Sequence, residues 1–261
     1  DKTSTYTVEG SENNGIYSAS SGLASIQAPT FDVSGNKNNG ISVNGTGGAT
    51  IDSTSLRAVT DPNFKITGTN NNGIVLRAAG PLKVEKMRFD ISGTSANPAV
   101  PNPGAQNNGI LLRAAGKADV TDSVFTVTGR DNSAIWGESG AAINTTRNTF
   151  ELGGTETNGV YLNAASTALT DVNSNFNITG TNSNGIYAKE GSADLQGTRM
   201  TVNGTNNNGL IVFQTATPVK VQNSARRAGF TVNNNNNGIF VTDSATVDLI
   251  NNTDFVVSDS G

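Results

Sequence analysis

Neither cysteine nor histidine occurs anywhere in the 261 residues. Without cysteine there is no disulfide scaffold, no thiolate nucleophile and no Cys-type zinc site. Without histidine there is no imidazole acid–base chemistry, no Ser-His-Asp triad and no His-ligated metal. Charged residues make up only 15% of the chain, with a net charge of −4 and a pI near 4.8. That balance argues against nucleic-acid binding, which wants a basic face. No apolar run approaches the ~20 residues of a membrane span, and no signal-peptide pattern opens the chain. The chain therefore reads either as a protein that stays in the cytosol or as a processed or trimmed piece.

What is abundant is Asn, with 36 residues, and Gly, with 30. Both are turn residues and poor helix formers. Leu, Ile, Val and Phe total 58, enough to lift the chain just above disordered compositions. Low charge also weakens self-repulsion.

The sequence repeats. An Asn-Gly-aliphatic element recurs at Gly15, Gly40, Gly73, Gly109, Gly159, Gly185, Gly209 and Gly238, with Ser133-Ala134-Ile135 as a degenerate copy. The spacings are 25, 33, 36, 25, 25, 26, 24 and 29 residues, a base period of about 25 with insertions. A second column pairs an aromatic with an aliphatic two residues later: Phe31/Val33, Phe64/Ile66, Phe89/Ile91, Phe125/Val127, Phe150/Leu152, Phe176/Ile178, Phe230/Val232 and Phe255/Val257. Tyr6/Val8 and Met200/Val202 complete it. The insertions fall near 45–60, 92–106 and 214–228, the second being rich in Pro and a candidate binding loop or lid.

Within each copy the pattern has period two, the mark of strands with one buried face. The residue after the glycine is aliphatic in every copy, and the residue between the aromatic and its partner is mostly polar, as at Asp32, Lys65, Asp90 and Glu151. A weaker alternation, Leu82/Val84 and Ala118/Val120, supplies a third strand. Three short strands per period fit one coil of a parallel β-helix, whose coils must stack because one alone cannot bury its apolar face. The expectation is an all-β, right-handed parallel β-helix of three-strand coils, about nine to ten of them, forming one domain over 1–261. At ~4.8 Å per rung the rod would be roughly 40–45 Å long. The Asn before each glycine is expected to take a left-handed backbone and to bond along its column. A chain of β-hairpins is the alternative, since Asn-Gly is a strong hairpin signal.

Segments such as ITGTNSNGIYAKEGSADLQGTRMTVNGTNNNGL, Ile178 to Leu210, resemble the passenger domains of Gram-negative autotransporters, the pertactin-like and AIDA-like group. The resemblance covers essentially the whole chain, and its motif is structural, specific for fold and weak for function. It implies a β-helix displayed on the bacterial cell surface or secreted after cleavage, acting as an adhesin in attachment, self-association or biofilm formation. Members typically carry an N-terminal signal and a C-terminal outer-membrane barrel, through which alone the membrane would be a partner; neither is in this sequence. The lack of cysteine suits export through such a barrel. The chain opens at Tyr6-Thr7-Val8 and ends at Phe255-Val256-Val257, the same strand of two coils, without the break an end cap would make. A section of a longer solenoid is expected.

If the first and third residues after the glycine point inward, the second points out. That column reads Tyr17, Ser42, Val75, Leu111, Trp136, Tyr161, Tyr187, Ile211 and Phe240. The fourth residue, on the same face, contributes Arg77, Arg113, Glu138, Lys189 and Phe213 among others. An exposed aromatic ladder flanked by charge is a candidate for ligand binding or self-association. The candidate face is Tyr17, Arg77, Leu111, Arg113, Trp136, Tyr161, Tyr187, Lys189, Phe213 and Phe240. Its partner would be a host or matrix glycan or protein, or another copy of the chain. A bend that turns the column partly inward, coverage by an insertion loop and simple cross-strand pairing are the structural alternatives.

Lys86, Asp122 and Arg147 occupy equivalent positions in successive coils, as do Lys83 and Asp119, so they read as a cross-rung charge ladder. Some β-helices degrade polysaccharides with clustered carboxylates. Asp119, Asp122, Asp171 and Asp194 are available, but no coil gathers three of them. The expectation is no catalytic residue, no metal and no cofactor, with a spacer stalk as the second reading and an enzyme as the last.

Overall fold

Three strands make one turn of the chain. The computed structural model describes residues 4–57, 61–93, 106–215, 217–251 and 253–258. In the first full coil Asn14–Ser18, Ala24–Gln27 and Thr30–Val33 follow one another round the axis. The trio returns as Asn39–Val43, Ala49–Asp52 and Phe64–Ile66, and continues to Asn237–Thr242, Val247–Ile250 and Asp254–Ser258. Each strand pairs with its counterpart one coil away, giving sheets of 10, 9 and 9 strands. We call these the Phe sheet, the Asn-Gly sheet and the third sheet. The pairings are parallel and in register, Phe89 on Phe125 and Ile16 on Ile41. That register excludes the hairpin alternative, which needs antiparallel neighbours. The fold is a right-handed parallel β-solenoid of about nine turns.

The interior follows from the aromatic column. Tyr6, Phe31, Phe64, Phe89, Phe125, Phe150 and Phe176 form one continuous stack with centroids 4.4 to 5.1 Å apart and planes within 11°. Met200 replaces a ring in the column before Phe230 and Phe255 resume it 5.0 Å apart. The ring spacing is the rung spacing of a parallel sheet, so ladder and stack satisfy each other without strain.

The stack explains the glycines. A Cβ on Gly40 would lie 2.7 Å from the Gly73 carbonyl oxygen and 3.2 Å from Phe64. On Gly159 it would lie 2.5 Å from the Gly185 oxygen and 2.8 Å from Phe176. The column needs clearance rather than a special dihedral. The expected left-handed Asn is accordingly corrected: the Asn before each glycine begins the extended strand. The left-handed residues stand two positions earlier, at Glu12, Lys37, Asn70, Asp131, Glu156, Asn182 and Asn206, with φ between 52° and 62°. The chain must turn the corner before the strand begins, so the strained dihedral falls there.

Those corners are held by a second Asn column that the sequence reading did not separate from the first. Asn38, Asn71, Asn107 and Asn132 are fully buried. The backbone N–H groups of Asn13, Asn38 and Asn71 donate to the Oδ1 of Asn38, Asn71 and Asn107, each at 2.7 Å. The Nδ2 groups of Asn38, Asn71 and Asn107 donate to Gly10, Gly35 and Gly68 carbonyls at 2.9 to 3.0 Å. Buried corner groups that no strand can pair are thereby satisfied.

The first and third insertions lie at corners. The first adds chain between Asp52 and Phe64, where the third sheet meets the Phe sheet. The Pro-rich segment lies outside the described residues at 94–105. Extra residues of the last flank both sides of Val219–Gln222. Arg226 ties it down, donating to the carbonyls of Gly197 and Ser174 and to Asn175 Oδ1 at 2.8 to 2.9 Å.

Replacing Phe125 by Ala removes a ring from the middle of the stack. We expect a loss of about 3–5 kcal/mol, read as a lower denaturant midpoint for the central coils, with the β-sheet circular dichroism of the native protein retained.

Candidate functional site

The outward column of the Asn-Gly sheet runs in register from Tyr17 through Ser42, Val75, Leu111, Trp136, Tyr161, Tyr187 and Ile211 to Phe240. It does point away from the interior. Val75, Leu111 and Trp136 form an apolar cluster of their own, separate from the main core, with Tyr161 packed on it. The column is not uniformly exposed. Tyr17 and Phe240 are 58% and 46% exposed, but Val75, Leu111 and Trp136 only 0%, 4% and 3%. Leu111 and Trp136 are therefore corrected from exposed ligand contacts to the floor of a covered patch. Trp136 stacks on Tyr161 at 4.2 Å, and Tyr161 meets Tyr187 edge-on at 4.9 Å. These side chains pack against one another on successive rungs, and the middle of the ladder is shielded from water. Burial raises the phenol pKa of Tyr161 and Tyr187.

Charge lies beside this column. Arg113 Nε is 3.9 Å from Glu138 Oε2, and Lys189 Nζ donates to Asn163 Oδ1 at 3.4 Å. Asn44 Nδ2 donates to the Tyr17 hydroxyl at 3.0 Å. Among the described residues the Arg77 guanidinium has no hydrogen bond and no ion pair. Burial first, and then the neighbouring Arg113, lower its pKa. Phe213 and Lys189 are half-buried further along.

On the other side runs the Asn ladder. Asn39 Nδ2 donates to Asn14 Oδ1 at 2.9 Å, Asn72 to Asn39 at 3.0 Å, and Asn108 to Asn72 at 2.9 Å. It resumes from Asn158 to Asn184, Asn208 and Asn237 at 2.9 to 3.0 Å. The gap is Ser133, too short to reach. Asn108 Oδ1 and Ser133 Oγ are both buried there without a partner.

Two hollows result. The larger, about 410 Å³, opens where Ser42 follows Tyr17, and its lining includes Tyr17, Asn39, Ser42, Asn44, Arg77 and Arg113. The smaller, about 50 Å³, lies at the ladder gap among Gln106, Asn108, Leu111, Trp136 and Glu138. Asn70, Asn72 and Arg113 border both, so they adjoin. The sequence reading named Tyr17, Arg77, Arg113, Leu111 and Trp136 and missed Ser42, Gln106 and Asn108. The step from Tyr17 to Ser42 and the degenerate Ser133 copy were the available signals.

The carboxylates disperse. Asp122 accepts both Nε and Nη2 of Arg147 at 2.7 Å, the one cross-rung pair of the expected charge ladder that forms. Register places Lys83 opposite Asp119, yet Lys83 and Lys86 both turn to Glu85, at 2.9 and 3.3 Å. The ladder is corrected there because Glu85 gathers two ammonium groups from its own coil. Asp119 pairs with Lys117 at 3.0 Å, and Asp194 accepts from Gln222 at 2.7 Å. Asp171 is buried, accepting from Thr145 at 2.6 Å and from Thr198. Burial raises its pKa despite those bonds. Among the described residues no group of three or more His, Cys, Asp or Glu is placed to hold a metal ion, and no helix is long and apolar enough to cross a membrane.

Comparison with protein-family models, with curated proteins and with solved structures finds no match. The class defined by the coordinates is a right-handed parallel β-solenoid with an outer groove along one sheet, a fold consistent with the pertactin-like and AIDA-like group.

Folded Asp171 holds its proton more tightly than the unfolded chain does. Its contribution to stability is full below the ordinary carboxylate range of about pH 4 and is lost as pH rises through the raised value. Asp171→Asn should flatten the fall in thermal midpoint over that interval, checked by melting curves from about pH 4 upward. Ser133→Asn should close the amide ladder and add about 1 kcal/mol, read as a higher denaturant midpoint.

Proposed function

We propose that this chain is an adhesion segment of a bacterial surface protein, exposed at the outer membrane or released from it, that binds its partner along the outer face of the Asn-Gly sheet. The observation carrying this reading is the groove. On this face a hollow of about 410 Å³, one of several on the rod, lies beside a buried aromatic patch and a guanidinium that is unpaired among the described residues. A repeat whose only task is to be a rod has no need to vary its outer column from Tyr to Ser to Trp. Polar hydrogen-bonding groups next to apolar and aromatic surface are the usual composition of a binding site. The resemblance to autotransporter passenger domains and the lack of cysteine support surface display, since disulfide-free chains pass a barrel unfolded.

The partner on this reading is a host or matrix glycan or protein. Self-association between two copies uses the same face and is separated by experiment. The spacer reading is favoured by the regular Phe stack alone. An enzymatic role has no gathered carboxylates to support it.

The test pairs binding with oligomeric state. A glycan array and immobilised matrix proteins should retain the wild-type chain, while sedimentation at rising concentration should show a monomer. Tyr161→Ser with Tyr187→Ser should weaken retention by at least about tenfold without changing the melting midpoint by more than a few degrees. Retention by nothing, with a monomer throughout, would favour the spacer.

A further inference from the structure

The two adjoining hollows differ in chemistry. The larger presents Arg77 and Arg113 on adjacent rungs. Glu138 lies at 3.9 Å from Arg113, while Arg77 makes no ion pair among the described residues. Lys37, on the same rim, is taken up by Glu12 at 3.3 Å. An exposed guanidinium that makes no ion pair among the described residues, on the wall of a hollow and next to a second one, is a site for an anion. Its rim also carries the Glu12 carboxylate, which Lys37 holds, with the Ser42 hydroxyl and the amides and phenol of Asn39, Asn44 and Tyr17.

The smaller hollow shares Arg113 with the larger and adds Glu138 and a set of buried polar groups. Gln106 Oε1, Asn108 Oδ1 and Asn70 Oδ1 are acceptors, Trp136 Nε1–H is a donor, and all four are buried without a hydrogen-bond partner. Trp136 is 97% buried, its exposure being 3%. Buried polar atoms are costly to leave unpaired, and four round one hollow are an unusual concentration. Three acceptors repel an anion. A hydroxyl, which donates and accepts at once, satisfies both kinds of group. A charge beside a hydroxyl, held between the Tyr17 and Trp136 ends of one groove, is the pattern of an acidic sugar.

We propose that this groove binds a carboxylated saccharide, with the carboxylate on Arg77 and Arg113 and a ring hydroxyl in the niche formed by Trp136, Gln106 and Asn108. This rests on the adhesion reading and names its ligand class. The ladder gap at Ser133 is then functional: an Asn there would use up Asn108 Oδ1 and fill the niche. The ordered column is broken at the one rung where the hollow needs free acceptors.

Trp136 is the only tryptophan, so its fluorescence reports on the site directly. The chain is titrated with oligosaccharides of galacturonate, glucuronate and N-acetylneuraminate, with the methyl ester of the oligogalacturonate as a neutral analogue, and with a sulfated oligosaccharide. A saturable change in Trp136 emission is expected with a carboxylated sugar, with the neutral or sulfated analogue at least about tenfold weaker. Arg77→Gln should weaken binding by a similar factor, and its melting curve should be unchanged because the guanidinium has no partner to lose. Ser133→Asn should weaken binding while raising stability. No response to any carboxylated sugar, an ester that binds equally, a sulfated sugar that binds better, or Arg77→Gln with full affinity would each overturn the proposal. If that happens while matrix retention still depends on Tyr161 and Tyr187, the adhesion reading stands and only this ligand assignment fails. If retention is absent as well, both fail.

Discussion

Every feature of this molecule depends on one requirement, that equivalent residues of successive coils lie directly above one another at the spacing of a parallel sheet. Hydrogen bonds between strands fix the rung distance, and flat rings stacked 4.4 to 5.1 Å apart match it. Each ring then occupies the space where a neighbouring side chain would project, which favours glycine at the start of the Asn-Gly strands, with Ala134 the largest residue found there. Phe and Gly are thus two sides of the same packing problem, one filling the interior and the other making room for it.

Amide chemistry does at the corners and edges what rings do inside. An Asn side chain offers a donor and an acceptor in one plane, so a column of them bonds upward and downward at each rung. The inner column satisfies corner backbone groups, and the outer one ties the start of each strand to the next coil. Both tolerate only residues of similar reach. Thr157 and Ser183 preserve the inner column through their hydroxyls, 2.9 Å apart. Ser133 in the outer column cannot, and the polarity left unpaired there shapes the face beside it.

A perfectly regular solenoid presents the same surface at every turn and has no particular place for a ligand. Individuality enters where the repeat is broken: a small residue at 42, a serine at 133, arginines at 77 and 113, and a tryptophan at 136. These departures fall on one face within neighbouring coils. The interior columns, by contrast, change little, because a substitution there is felt by the rungs above and below. Rigid inner columns and variable outer ones let the rod carry a site without losing its register.

How much of this was legible follows from the same logic. Period-two alternation and the spacing of the Asn-Gly and Phe columns were enough to specify three strands per coil, parallel stacking and which residues share a rung, because those depend on local pattern alone. The outward direction of the Tyr17-to-Phe240 column was readable for the same reason. Its burial was not: Val75, Leu111 and Trp136 form a cluster of their own with Tyr161 packed on it, away from water. Nor could one-dimensional order show that Lys83 and Lys86 both turn to Glu85, that Asn108 lacks a partner across the Ser133 gap, or that Arg77 is left facing an open hollow. Side-chain reach, competition among partners and the loss of solvent are properties of three-dimensional neighbourhoods, and only the folded arrangement decides them.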